Sequence, residues 1–348
     1  MFKTVKIGLV GTGGIGQVHA RSHAAVEGTE LSIASLIQPD VERRLADEHG
    51  ARLYESYEAM LNDDAVDAVD ICLPNDLHRD YIVRALEAGK HVLCEKPIAL
   101  DLDDADAMIG AASASRRLLM VAHPLRFWPE YVIAKQAVDV GHVGQPQLIT
   151  AWRMVSLLAS TQGDRGWRHD PKRSGGAVLD MQIHDIDFFA WTFGKPHSLV
   201  SRGIRSPDGA LSHVFTHLEF EENKQAFVES SFMLKGNPLG IGFRILGTQR
   251  SIEYRYLPRT FSLHGVENQE DPPEPSLVLY EWGKDPVPLH TPEEDSFIVA
   301  FREEMRYFAE CVRTRRPPEH GSPAQARLAL EIALASRRSC ESREMVQL

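Results

Sequence analysis

A glycine-rich turn near the start of the chain restricts the choice of folds sharply. A short apolar run, Lys6–Val10, comes before it, and a segment with apolar residues at helical spacing, Ile15–Val26, overlaps its end. The turn itself consists of Gly11, Thr12, Gly13, Gly14, Ile15 and Gly16. In a G-x-G-x-x-G turn the first glycine allows the bend, the second lets a phosphate approach the backbone, and the third lets helix and strand pack closely. The helix N-terminus adds free N–H groups, so the turn predicts a dinucleotide site.

The segments around this turn alternate between strand-like and helix-like patterns. The strand-like runs are short and rich in Val, Ile and Leu, as in strands buried on both faces: Lys6–Val10, Leu31–Ile37, Ala68–Leu73, His91–Cys94 and Leu118–Ala122. The helix-like segments are Ile15–Val26, Asp40–His49, Tyr57–Asn62, Asp76–Ala88 and Asp101–Ser115. Repeated strand–helix units predict an α/β fold, with a doubly wound parallel sheet of the Rossmann type over residues 1–124.

The second part of the chain has a different pattern. After one helix, Glu130–Val140, come longer strand candidates: Gln147–Ser156, Ser212–Phe220, Gln225–Met233, Gly240–Leu246 and Ser251–Tyr256. The remaining features are two turn-rich stretches and two helices: Asp164–Gly176, Asn268–Pro275, Phe297–Arg313 and Ser322–Ser339. Runs of successive strands predict an α+β domain over residues 125–348 with a large, mostly antiparallel open sheet.

Charge and composition exclude several classes of protein. The 38 Lys and Arg residues against 49 Asp and Glu residues give a net charge of −11, which argues against sequence-independent binding of nucleic acid. No apolar run approaches the roughly 20 residues of a membrane span, and Met1–Lys6 does not resemble a signal peptide. The cysteines lack the spacing of a disulfide framework or a zinc site, and two of them lie in apolar runs, as small buried thiols do: Cys72 and Cys94. We expect a reduced, cytoplasmic protein with neither nucleic acid nor membrane as a partner.

The residue after the second strand-like run bears on the choice of cofactor. An Asp or Glu there would bind the ribose 2′-hydroxyl of NAD, but this chain has Gln38. Gln38 can still form a hydrogen bond to the ribose, and it has no charge to repel a 2′-phosphate. Asp40, Arg43 and Arg44 follow it. NAD and NADP therefore both remain candidates.

A lysine follows another strand-like run, in the sequence Cys94-Glu95-Lys96-Pro97. Ligands of doubly wound sheets bind beyond the carboxyl ends of the strands, so we expect Lys96 at the site. Pro97 favours an extended backbone at Lys96, which helps to fix it. A Glu-Lys pair before a proline is more often a solvated turn, but its place at the end of a strand favours a functional role.

The second part contains a polar stripe at the spacing of one helical face: Asp180, His184, Asp187 and Trp191. An apolar stripe runs beside it: Leu179, Ile183, Ile186 and Ala190. A histidine one turn from an aspartate, next to core-facing positions, favours catalysis over a purely structural role. A metal site is less favoured because no third ligand is apparent.

Together these motifs resemble the Gfo/Idh/MocA family, the group of glucose–fructose oxidoreductase and inositol dehydrogenase. The resemblance spans essentially the whole chain and rests on Gly11–Gly16, Leu73-Pro74-Asn75 with His78, Ala88–Pro97, Arg126 with Pro129, Gly175–Asp180 with His184 and Asp187, and Ala326–Leu348. Gln38 and Gly14 depart from the usual family pattern. The resemblance implies a dinucleotide-binding domain and an α/β domain whose open sheet often forms an oligomer interface, and so a homodimer or homotetramer.

The resemblance also implies an activity and its residues. Family members mostly oxidise or reduce a hydroxyl or carbonyl group of sugars, cyclitols and related compounds with NAD or NADP. The catalytic lysine of the family corresponds to Lys96, and its catalytic aspartate and histidine to Asp180 and His184. The residues expected to bind the cofactor are Gly11, Thr12, Gly13, Gly14, Ile15, Gly16, Gln38, Leu73, Pro74, Asn75, His78, Glu95 and Lys96. Those expected to bind a small-molecule substrate are Arg126, Trp167, Arg168, Asp180 and His184.

Hydride transfer from an alcohol needs a base for the hydroxyl proton and positive charge near the developing alkoxide. His184 suits the acid–base role, Lys96 suits polarisation of the substrate oxygen, and Asp180 would orient His184 or hold a substrate hydroxyl. Which of His184 and Lys96 moves the proton is open. The segment Gly163–Arg173 is expected to overhang the nicotinamide and the substrate.

Two other functions are alternatives to a dehydrogenase. One is a glycoside hydrolase that retains NAD and oxidises its substrate transiently. The other is a regulator that binds a dinucleotide without catalysis. The presence of Lys96, Asp180 and His184 argues against the regulator, because a non-catalytic protein has no need of all three.

Overall fold

The computed structural model describes residues 4–36, 38–156, 166–207, 209–234, 239–258 and 276–348. The chain packs as two units. The first comprises Met1–Pro124 and Ala300–Arg327, and the second comprises Leu125–Val299 and Leu328–Leu348. The assignment of residues 1–124 and 125–348 to two functional domains stays a prediction. In the structure, Ala300–Arg327 packs with the first unit.

The first unit is built on a six-stranded sheet in the order β3-β2-β1-β4-β5-β6. Its strands are β1 (Val5–Val10), β2 (Thr29–Ala34), β3 (Arg52–Tyr54), β4 (Ala68–Ile71), β5 (His91–Glu95) and β6 (Leu119–Ala122). Its helices include α1 (Gly14–Ala24), α2 (Pro39–His49), α3 (Tyr57–Leu61), α4 (His78–Glu87) and α5 (Leu102–Ser115). All neighbouring strands run parallel. This strand order is that of doubly wound dinucleotide-binding folds, so the predicted Rossmann sheet is confirmed.

Burial explains which strands the sequence shows clearly. Strands β4, β5 and β6 are buried at every residue, so they form continuous apolar runs. Strand β3 was not predicted, because it has three residues, lies at the sheet edge and begins with the exposed Arg52. The predicted end of the second strand, Ile37, lies outside the described residues.

The second unit contains a nine-stranded sheet in the order β14-β13-β12-β11-β7-β10-β9-β8-β15. Its strands are β7 (Pro146–Val155), β8 (Ser198–Arg205), β9 (Leu211–Glu219), β10 (Gln225–Ser231), β11 (Leu239–Gly247), β12 (Arg250–Tyr256), β13 (Leu277–Glu281), β14 (Val287–His290) and β15 (Val346–Gln347). Only the β7–β10 pair is parallel among the paired strands of this sheet that the structure describes. The predicted large, mostly antiparallel sheet is therefore confirmed.

Helices of the second unit precede and follow these strands. They are α6 (Pro129–Asp139), α7 (Pro171–Ser174), a π-helical turn (Val178–Gln182) that continues into α8 (Ile183–Phe193), and parts of α9 (Ser296–Thr314) and α10 (Pro323–Ser342). Helix α7 and a 3₁₀ turn, Trp167–His169, lie within the predicted turn-rich stretch 164–176, and the stretch 268–275 lies outside the described residues. No helix in the described ranges is long and apolar enough to cross a membrane.

Most of α9 belongs to the first unit, which the sequence did not suggest. The Phe301 ring lies 5.5 Å from the His19 ring of α1. Beyond the helix, the carbonyl of Gly321 accepts a hydrogen bond from the backbone N–H of Val121 at 2.8 Å. These contacts add a late segment of the chain to the core around β6.

Candidate active site

The three glycines at the motif positions of the predicted dinucleotide turn have different local requirements. Gly11 has φ +94°, and a Cβ there would overlap the carbonyl of Cys72. A Cβ at Gly16 would overlap the carbonyl of Gly11. A Cβ at Gly13, in contrast, would have no heavy atom within 4 Å. The fold itself requires the first and third glycines, while the second borders open space that a ligand can enter.

The N-terminus of α1 is suited to an anion. Gly13 occupies the N-cap position, no side chain caps the helix, and its first turn contains no acidic residue. The Thr12 hydroxyl beside it is buried and has no hydrogen-bond partner among the residues described. Free N–H groups, an unused hydroxyl and the open side of Gly13 fit the pyrophosphate of a dinucleotide.

A carboxylate in the first turn of α2, which no sequence motif indicated, supports the turn after β2. The buried side chain of Glu42 accepts hydrogen bonds from the Ser35 hydroxyl at 2.9 Å and from two backbone N–H groups, of Leu36 at 3.0 Å and Gln38 at 3.3 Å. This carboxylate therefore stabilises the turn that presents Gln38. Nearby, Arg44 donates a hydrogen bond to the Gln17 side chain at 3.0 Å.

His78 fixes two loops at the carboxyl edge of the sheet. Its Nε2 and Nδ1 atoms each lie 3.0 Å from a carbonyl oxygen, of Leu73 after β4 and of Pro97 after β5. Burial lowers the pKa of His78, so the ring is neutral and donates to one carbonyl at a time. In this structure His78 therefore supports the two loops that flank Lys96.

Lys96 follows β5, and its backbone is held by a buried ionic network. The Glu95 carboxylate accepts a hydrogen bond from the Lys96 backbone N–H at 3.1 Å. Its other oxygen lies 3.1 Å from Nε2 of His19. Nδ1 of His19 lies 2.9 Å from the Asp70 carboxylate, which Nε2 of His23 also approaches at 2.8 Å.

This network was not predicted, although the sequence contains a signal for it. Asp70 is a lone carboxylate in the apolar run of β4, and a charge at a fully buried strand position requires a partner. His19 and His23 are one turn apart on the helix that follows the glycine turn. These three residues could have been connected by that argument.

The Asp180–His184 segment is not the single α-helix that the sequence predicted. Asp180 lies in the π-helical turn, and α8 begins only at Ile183, so the α-helical spacing from Asp180 to His184 was wrong. Gln182 anchors the turn, because its side-chain oxygen accepts hydrogen bonds from the hydroxyls of Thr216 at 2.8 Å and Ser336 at 3.0 Å. The apolar stripe is confirmed at Leu179, Ile183 and Ile186, which are fully buried, whereas Ala190 is only partly buried.

Each buried aspartate of this segment is paired with an arginine. Nε of Arg168 lies 3.2 Å from Asp180, and its guanidinium stacks 4.6 Å from the centre of the Trp167 ring. Arg153 binds Asp185 through two hydrogen bonds, of 2.8 and 3.1 Å. His184 lies between Asp180 and Asp185 in the sequence, and its side chain is partly buried. The arginines therefore hold the carboxylates of this segment in defined orientations.

The third pair involves a residue expected to bind the substrate. Arg126 binds Asp187 through two hydrogen bonds of 2.8 Å, with side-chain exposures of 2% and 1%. The Trp191 ring centre lies 5.3 Å from the guanidinium carbon. In this structure Arg126 thus supports α8, and its contact with a substrate stays a prediction. Trp128, two residues after Arg126, is buried and donates a hydrogen bond to the Tyr254 hydroxyl at 2.9 Å.

The first unit gathers the predicted cofactor residues at one edge. The glycine turn, Gln38, the segment 73–78 and Glu95-Lys96 follow β1, β2, β4 and β5, which are neighbours in the sheet. The second unit contains the predicted Asp180 and His184, with Arg126, Trp167 and Arg168. The roles of all these residues stay predictions.

Comparison with known proteins identifies the family. Residues 5–123 match the model of an oxidoreductase family with an NAD-binding Rossmann fold, GFO_IDH_MocA. Residues 131–253 match the GFO/IDH/MocA C-terminal domain. The chain belongs to the GFO/IDH/MocA family, so the expected family, the class of enzyme and a nicotinamide dinucleotide as cofactor are confirmed.

Individual relatives are similar over large parts of the chain. Inositol 2-dehydrogenase of Rhizobium meliloti is 32% identical over 237 residues, which are 66% of this chain and 69% of the relative. D-xylose 1-dehydrogenase (NADP(+)) 2 of Haloferax volcanii is 33% identical over 231 residues, 65% of this chain and 69% of the relative. The crystal structure of apo scyllo-inositol dehydrogenase from Lactobacillus casei superposes with a TM-score of 0.79 at 25% identity, covering 100% of this chain and 99% of that one.

Proposed function

We propose that this protein transfers a hydride between NAD or NADP and a hydroxyl- or carbonyl-bearing carbon of a sugar, polyol, cyclitol, sugar acid or related diol. The observation that carries the proposal is the open, uncapped N-terminus of α1 at Gly13, on the same sheet edge as Lys96. The names of the relatives, an inositol dehydrogenase and a xylose dehydrogenase, support a polyhydroxylated substrate.

The first unit would hold the cofactor. The N–H groups at the start of α1 and the Thr12 hydroxyl would bind the pyrophosphate, and Gln38 would face the adenosine ribose. Once bound, the nicotinamide supplies the hydride acceptor or donor. The uncharged Gln38 favours neither NAD nor NADP, so both belong in the experiment.

The remaining chemistry belongs to Lys96, His184 and Asp180. In this proposal Nζ of Lys96 donates a hydrogen bond to the reacting oxygen of the substrate, and its positive charge stabilises the alkoxide that develops there. The imidazole of His184 takes up the hydroxyl proton during oxidation and returns it during reduction. Asp180, held by Arg168 at 3.2 Å, orients the imidazole or binds a neighbouring hydroxyl.

An absorbance screen tests this function. Purified protein is mixed with NAD or NADP and a panel of sugars, cyclitols, sugar acids and diols, and formation of the reduced nicotinamide is followed. We expect a substrate-dependent rise that Lys96→Ala and His184→Ala reduce about 10²-fold or more. Lys195→Ala and His217→Ala are the matched controls, because both residues lie outside the proposed site.

Two results would contradict the proposal. One is near-normal turnover of both Lys96→Ala and His184→Ala at saturating substrate. The other is cleavage of a glycoside without net nicotinamide turnover, which would indicate transient internal oxidation instead.

We also propose that the protein forms a homodimer or homotetramer through the sheet of the second unit. Phe215 and Phe227 lie on neighbouring strands of that sheet and are 51% and 42% exposed. Apolar side chains on an open sheet favour association. Light scattering tests this expectation, and a strictly monomeric species would refute it.

A further inference from the structure

Lys96 is connected to the helix of the glycine turn through one buried side chain. His19 lies three residues after Gly16 on α1, and its Nε2 atom is 3.1 Å from the carboxylate of Glu95. The other oxygen of that carboxylate binds the backbone N–H of Lys96 at 3.1 Å. Because each oxygen of Glu95 has its own partner, the position of His19 determines where the carboxylate can support Lys96.

We propose that His19 is a positioning residue for Lys96, acting through the carboxylate of Glu95. The inference rests on the proposed role of Lys96 and adds to it a residue that need not touch substrate or cofactor. The proposal gives α1 a second role besides dinucleotide binding, because α1 would also fix the position of the end of β5 relative to the glycine turn.

The geometry requires His19 to be an imidazolium. Each of its ring nitrogens faces a carboxylate, Asp70 at 2.9 Å and Glu95 at 3.1 Å, and a neutral ring could donate to only one of them. Burial by itself would lower the pKa of His19, but the neighbouring Cys72 and Asp70 reverse this and raise it. Since burial also raises the pKa of the Cys72 thiol, that thiol is uncharged and the attraction comes from the carboxylates.

Other titratable groups around His19 add little negative charge. The Cys94 thiol has a pKa raised by burial and stays protonated. Burial also raises the pKa of Glu304 on α9 well above its usual value, which disfavours a further negative charge beside His19. The imidazolium is therefore matched mainly to Asp70 and Glu95, and Asp70 also has His23 as a partner at 2.8 Å.

Hydrogen bonds also account for the grouping of His19, Asp70 and Cys72, whose ligand atoms lie within 4.8 Å of one another. A metal ion would need an unprotonated nitrogen of His19, and both nitrogens are engaged with carboxylates. The network is thus an ion-pair chain from α1 through β4 and β5 to the backbone of Lys96.

His19→Gln and Glu95→Gln test the inference, with His23→Gln as the matched control. His23 is equally buried, lies on the same helix and binds the same Asp70. The hydrogen bond of its Nε2 atom goes to Asp70 and not to Glu95. We expect His19→Gln to bind NADH as the wild type does. Both test variants should slow single-turnover hydride transfer about 10- to 100-fold, as a displaced reacting group does. His23→Gln should lose thermal stability but retain the wild-type rate.

Rate losses that follow thermal stability alone, equal in all three variants, would overturn the inference, and so would an unchanged rate in His19→Gln. A second measurement needs no activity. The ring ¹⁵N shifts of wild-type His19 should show an imidazolium at pH 8, above the pKa of about 6.5 of an ordinary histidine, and exchange of the Lys96 amide proton should accelerate in Glu95→Gln. A neutral or metal-bound His19, or an unprotected Lys96 amide, would refute the positioning role even if no substrate were turned over. Normal NMR results without nicotinamide reduction would instead refute the proposed function.

Discussion

Replacement of Asp187 by asparagine should cost the protein a large part of its stability. The substitution keeps the shape of the side chain but removes the charge that faces Arg126, so a guanidinium that is 2% exposed loses its counter-ion. Both hydrogen bonds of 2.8 Å are affected, and Nη1 of Arg126 already has no partner within the described part of the chain. Removing one partner of a buried ion pair costs about 3–5 kcal/mol.

The Trp191 ring moderates this loss. Its face lies 5.3 Å from the guanidinium carbon and remains in the variant, and such a contact is worth about 2 kcal/mol when desolvated. We therefore expect Asp187→Asn to lower the free energy of unfolding by about 3 kcal/mol, the lower end of the range. In a unit of this size each kcal/mol shifts the melting temperature by about 2–4 °C, so the shift should be about 6–12 °C.

Urea unfolding followed by circular dichroism measures this loss. Asp139→Asn is the control, because it removes a carboxylate that is 54% exposed from its pair with Lys135 in the same unit and should cost at most about 1 kcal/mol. The double variant Arg126→Met/Asp187→Leu should recover most of the stability, since two apolar residues leave no charge buried.

Two results would refute the reasoning. One is a loss of unfolding free energy below about 1 kcal/mol in Asp187→Asn. The other is a loss in the double variant equal to the sum of the losses in Arg126→Met and Asp187→Leu. The double variant also tests Arg126 as a substrate ligand. If it is stable and its KM is unchanged, Arg126 acts only as a support for α8.

Four further substitutions have defined outcomes. Gly13→Ala should leave the melting temperature unchanged but weaken NADH binding in a fluorescence titration. Gly16→Ala should lower the melting temperature, because its Cβ would overlap the Gly11 carbonyl. Equal effects of the two variants on stability would contradict this. Burial raises the pKa of Glu304, and neither of its carboxyl oxygens has a well-formed hydrogen bond among the described residues beyond weak support from the His123 backbone. The wild type should therefore lose stability relative to Glu304→Gln as pH rises above about 4.3. Parallel stability curves of the two proteins between pH 4 and 8 would disprove this. Trp128→Phe should cost about 1 kcal/mol in urea unfolding through the lost hydrogen bond to a tyrosine hydroxyl, and an unchanged midpoint would contradict this.

The parallel sheet could be predicted because its strands are buried on both faces. Each such strand gives an uninterrupted apolar run, and the first turn is marked by glycines at which a Cβ would overlap the backbone. Strands at or next to the edge of a sheet carry a weaker signal. Strand β8 alternates irregularly and ends in exposed residues, and β14 has four residues, so neither was predicted.

The cofactor residues could be predicted from their positions at the ends of strands, but the contacts that support the site residues are tertiary. The pairing of Arg126 with Asp187 spans 61 residues, and that of Glu95 with His19 spans 76. No local periodicity reports such distances along the chain. The π-helical turn at Asp180 was also missed, because it is anchored by Gln182 through hydroxyls of distant β9 and α10.

The return of Ala300–Arg327 to the first unit affects how the protein can be made and divided. During synthesis, the nucleotide-binding unit stays incomplete until residue 327 has left the ribosome, after most of the second unit has emerged. A fragment that stops at Pro124 would leave Phe301, Glu304 and the Gly321 hydrogen bond behind and expose the surface they cover. Exchange of this unit between relatives would therefore need two pieces of chain to be transplanted together.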